Sequence, residues 1–67
     1  MDAATKTMLA QAYDETVGES LGQGHDDATA HKEGITAAAM FLASMSGIED
    51  ATARAEVEKL GFKVSKE

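Results

Sequence analysis

Residues 35–48 (ITAAAMFLASMSGI) form the one strongly apolar stretch of this 67-residue chain, and within it residues 37–43 are apolar without a break. In a helix such a run is hydrophobic on every side and has to be covered all round. The chain has little to cover it with: two Phe, one Tyr, no Trp, and 13 Ala among its 29 hydrophobic residues. At roughly 25 cal/mol per Å² of apolar burial, Ala contributes far less than Leu or Phe. Below about 70 residues a thin core rarely suffices alone. The absence of Cys removes both disulfides and thiolate metal sites as reinforcement. Burial against a second copy of the chain is the expectation that follows.

Helical propensity runs throughout. No Pro interrupts the sequence, and Ala, Glu, Lys, Met and Leu dominate. A first helix is expected over residues 2–21, with Asp2 as N-cap and an apolar stripe of Leu9, Tyr13, Val17 and Leu21, widened by Met8 and Ala12. The glycines around Gly22-Gln23-Gly24 mark the best linker. A second helix is expected over 26–45, because Asp26 and Asp27 suit the positive end of a helix dipole. Its seam reads Ala28, His31, Ile35, Ala38, Leu42 and Met45, while Met40 and Phe41 lie on other faces. Gly34 in mid-helix costs about 1 kcal/mol relative to Ala and permits a close helix approach.

A third helix is expected over 47–60. Ser46-Gly47-Ile48-Glu49 reads as a capping box, Ala53, Val57 and Leu60 form an inner stripe, and Gly61 is a natural left-handed stop. Phe62 is expected to fold back on Val57, and residues 62–67 to form a short extended tail that frays at Ser65-Lys66-Glu67. The whole is one all-α domain of three helices over residues 1–67. It is expected to assemble as a symmetric homodimer, with an exchanged helix permitted by its short Gly-bearing connections. The expected interface is Ile35, Ala38, Met40, Phe41, Leu42 and Met45.

The net charge of −6 is uneven: residues 1–34 carry seven acids against two bases, and residues 35–67 carry five against four. Such a chain repels phosphate backbones and anionic membranes. The N-terminal MDAATKTM lacks a basic segment followed by an apolar one, and the apolar stretch falls short of the roughly 20 residues that span a bilayer. A cytoplasmic protein with no membrane contact is therefore expected.

Chemistry-bearing constellations are few. His25, Asp27 and His31 are the only cluster with metal-ligand character, since Asp27 and His31 share a helix face at i,i+4. A closed site needs about four ligands, so no metal or other cofactor is expected, and Asp26 and Asp27 read as helix caps; a His/Asp metal-binding protein is the remoter alternative. The serines have no neighbouring His in sequence, and adjacent acids such as Asp14-Glu15 do not converge on a helix. No catalytic residues are expected. A helix-turn-helix offers an alternative: Ala43, Gly47, Ile48 and Thr52 match its usual residue types, with Arg54 placed to face a groove. The acids Glu49, Asp50, Glu56 and Glu58 give that third helix the wrong sign for DNA. A Met stripe of Met8, Met40 and Met45 suits either core filling or an adaptable partner groove. The favoured expectation is a small non-catalytic interaction or regulatory module, with an unidentified protein partner besides its own second copy.

Overall fold

The computed structural model describes residues 1–64. It is all-α, with α1 spanning Ala3–Gly22, α2 Asp27–Ser46 and α3 Asp50–Lys59. Two aspartates start the long helices by one device. Asp2 and Asp26 both lie in extended backbone, and their carboxylates accept the N–H of Thr5 at 2.9 Å and of Thr29 at 2.8 Å. These hydrogen bonds, from Thr5 to Asp2 and from Thr29 to Asp26, hold both carboxyls below the usual aspartate value. α1 and α2 thus begin at Ala3 and Asp27, each one residue after its capping aspartate.

The corner between α2 and α3 differs from the expected capping box. α2 continues through Ser46, and Gly47 closes it in the left-handed region at φ 67°, its N–H donating to the carbonyl of Ala43 at 2.8 Å. Glycine takes this conformation without the Cβ clash other residues meet. Ser46 thus ends one helix instead of capping the next. Ile48 and Glu49 bridge the corner, and Glu49 stands at the N-cap of α3 with no side-chain cap bond. As a result α3 has ten residues, shorter than the expected 47–60. Gly61 is left-handed at φ 73°, as expected. Phe62 reaches across to α1, where its ring lies 5.2 Å from that of Tyr13. The expected fraying of residues 65–67 lies outside the described residues.

α2 is the middle of the molecule. α1 packs along one side of it and α3 along another, while α1 and α3 meet each other little. The core draws Leu9, Tyr13 and Val17 from α1, Ile35, Ala38 and Leu42 from α2, and Ala53 and Val57 from α3. Because two helices bear on α2, its buried arc is wider than the expected seam. Ala30, Gly34 and Ala39 are buried as well, while Ala28 and Met45 are exposed. α3 thus covers part of α2, while Met40 and Phe41 on its other faces stay exposed.

Gly34 fixes how closely α1 can lie. A Cβ added there would fall 2.6 Å from Cδ2 of Tyr13 and 2.8 Å from Cγ2 of Val17, inside any real van der Waals contact. The molecule measures 33 × 21 × 16 Å, its length set by two 20-residue helices of about 30 Å each. Among the described residues no helix is long and apolar enough to cross a membrane.

Candidate functional site

The two histidines both tie α1 to the start of α2. His25, in the connecting turn, holds its Nδ1 2.8 Å from Oγ of Ser20 and 3.7 Å from Oε1 of Glu33. His31, one turn into α2, holds its Nδ1 2.6 Å from the hydroxyl of Tyr13, with the two rings edge to face at 5.6 Å. Among the described residues no three His, Cys, Asp or Glu side chains converge to hold a metal ion. His25, Asp27 and His31 are therefore not brought together as a ligand set.

Ser20, His25 and Glu33 are brought together, which their sequence positions did not suggest. Their geometry is wrong for nucleophilic catalysis. A relay needs the hydroxyl on one imidazole nitrogen and the carboxylate on the other, yet here both approach Nδ1. Ser20 is moreover 2% exposed, so no substrate carbonyl reaches its oxygen. What the three residues do is close the polar end of the hairpin, together with the His25 N–H donating to the Ser20 carbonyl at 3.2 Å.

Among the described residues Tyr13 carries the most enclosed polar side chain, 1% exposed. Its phenol donates to His31 when the imidazole proton sits on Nε2. Burial, with a smaller push from the charge of Asp14, raises the phenol above its ordinary value. The fold thus favours the neutral phenol. Stability is fully present below about pH 10, where the unfolded tyrosine ionises, and falls as pH rises beyond it. Tyr13 is the only Tyr and there is no Trp, so phenolate absorbance reports this one group. It is expected to appear at higher pH than in the urea-unfolded chain and together with loss of helical circular dichroism. Superimposable titrations of folded and unfolded chains would count against this.

The α2–α3 corner does form, but its surface is unlike a nucleic-acid reader. Arg54 is half-buried, and its Nη2 donates to Oγ1 of Thr36 on α2 at 2.5 Å, so it faces the neighbouring helix. Asp50 and Glu58 are exposed on α3, and Lys59 is paired with Glu56 at 3.3 Å. No basic stripe faces outward from this helix.

What the surface does present is apolar. Met8, Met40, Phe41 and Met45 are 37%, 63%, 41% and 42% exposed. A shallow groove of about 370 Å³ between α1 and α2 is lined by Met8, Ala12 and Phe41, with Gln11 and Glu15 beside them. A second depression of about 210 Å³ joins the same Phe41 to Ser44 and Met45. Phe41 links the two, so Met8, Phe41 and Met45 form one strip whose linings include a single charge, Glu15. Met40 lies further round α2, beside Ala37 and Thr36. Of the six residues expected at an interface, Ile35, Ala38 and Leu42 are covered within one chain, whereas Met40, Phe41 and Met45 are open. Met8 joins them from α1, a placement the one-helix seam did not reveal. No protein-family model, curated protein or solved structure matches this chain.

Proposed function

We propose that this chain is a small non-catalytic interaction module that works as a symmetric homodimer, its two copies meeting on the Met8–Phe41–Met45 strip. The observation that carries this is the strip's combination of exposure and near-neutrality. Two copies of a chain of charge −6 repel, and they meet most readily where carboxylates are few. A two-fold axis through the α1–α2 face would set Phe41 against its own counterpart. A stable interface buries about 800 Å² per partner, about a fifth of the 4368 Å² surface of one copy. The contact would therefore extend beyond the strip over the neighbouring surface of α1 and α2.

Sedimentation equilibrium at low micromolar concentration tests the assembly: a dimer is expected, and a cooperatively folded monomer throughout would overturn it. Phe41→Glu places two carboxylates at the centre of the interface. We expect its dissociation constant to rise at least a hundredfold, on the order of 3 kcal/mol. Because Phe41 is outside the monomer core, helical circular dichroism is expected to survive. A non-catalytic role is supported by the inaccessible Ser20 and by the two groups that share one nitrogen of His25. A helix-turn-helix role has the corner at Gly47 in its favour. The acidic face of α3 and the engagement of Arg54 by Thr36 speak against it.

A further inference from the structure

Methionine is the usual filler of irregular gaps in a core. Here all four methionines are exposed and none belongs to the core. That is a costly placement for a chain with only sixteen hydrophobic residues larger than Ala. Met8 and Met45 flank Phe41 on the strip just described. The chain has no Cys, so thioethers are its only oxidisable sulfur.

We propose that Met8 and Met45 form a redox-sensitive modification site at which conversion of thioether to sulfoxide by a peroxide releases the homodimer. This rests on self-association through the strip. In the step itself the peroxide O–O bond breaks, one oxygen forms a new S–O bond, and the other leaves as water. Sulfur gives up two electrons and the peroxide accepts them. An apolar side chain becomes a polar one, and closing the interface then strips water from it. A two-fold axis repeats each sulfoxide, so two oxidised methionines place four such groups in the contact. The dissociation constant is expected to rise at least about a hundredfold, roughly tenfold for each residue modified. Mass action adds a second property. Only the free monomer exposes both sulfurs, so they should oxidise faster in dilute than in concentrated protein. Met1, 55% exposed and outside the strip, serves as the internal reference.

The test uses the full chain treated with hydrogen peroxide, peptide mapping by mass spectrometry, and sedimentation before and after. The expected result is a dimer that becomes a helical monomer as Met8 and Met45 gain oxygen. Met8→Leu/Met45→Leu, a volume-conserving change, is expected to associate normally and to lose its response to peroxide. The proposal is overturned if protein carrying both sulfoxides associates as before, or if the double variant responds like the parent. It is also overturned if oxidation abolishes helicity, since dissociation would then follow from unfolding. An untreated chain that is monomeric removes the homodimer itself, a result distinct from a dimer indifferent to peroxide.

Discussion

Gly34→Val is expected to leave most of the chain unfolded at room temperature, and Gly34→Ala to lower Tm by about 10 °C. The cause is local. Position 34 is where α2 lies against the ring of Tyr13 and the side chain of Val17, and even a methyl group there would stand 2.6 to 2.8 Å from three of their carbons. Tyr13 is held against swinging aside, because it is enclosed, hydrogen-bonded to His31 and in ring contact with Phe62. Overpacking of this kind costs roughly 1–3 kcal/mol or more. Replacing a mid-helix glycine by Ala returns only about 1 kcal/mol. The remainder converts at about 4–8 °C per kcal/mol for a domain this small. Gly18→Ala in α1 is the internal contrast, since a Cβ there meets nothing within 4 Å and propensity alone should raise Tm. Thermal unfolding of the variants decides the matter. A Gly34→Ala protein as stable as Gly18→Ala would show that the helices simply move apart.

Tyr13→Ala should abolish cooperative folding. Removing a buried aromatic ring costs about 3–5 kcal/mol, comparable to all the stability that a domain below about 70 residues usually possesses. The ring touches α1, α2 and the segment after α3 at once: Val17 and Gly34 lie beside it, His31 meets it edge-on, and the tilted ring of Phe62 lies against it. Tyr13→Phe separates packing from hydrogen bonding. It keeps the ring, leaves Nδ1 of His31 without its phenol, and should cost about 1 kcal/mol. Urea unfolding followed by circular dichroism measures both. A Tyr13→Ala chain with a sharp transition near the parent midpoint would mean that the core does not centre on this residue.

Much of the architecture is legible from local chemistry. Asp2 and Asp26 cap helices because a short carboxylate reaches the N–H three residues on, and Gly61 turns left-handed because only glycine does so without strain. Gly34 can be read as a close approach before either neighbour is known. The corner at residues 46–49 misleads because Ser-Gly-Ile-Glu satisfies two rules at once. A capping box and a left-handed C-cap compete for Gly47, and the hydrogen bond to Ala43 decides for the second. The apolar run alone does not say how much of α2 is covered within one chain, since a one-helix pattern cannot show that α3 packs on α2 through pairs such as Arg54 and Thr36. The pairs Tyr13–His31 and Thr36–Arg54 each join residues 18 apart. No periodicity within a single helix announces such a pair. Met8 falls beside Phe41 only once the α1–α2 hairpin has closed.

The placement of α2 between two helices that hardly touch bears on how the chain finds its structure. Both helix pairs are built from neighbours in sequence, so most native contacts close short loops, the topology associated with folding in microseconds to milliseconds. One of the longer-range contacts is that of Phe62 with Tyr13, which reaches from beyond α3 back to α1. Either hairpin can form first on the shared middle helix. The contact between the two rings ties the segment after α3 back to α1, so the two helix pairs are linked at a second point besides α2.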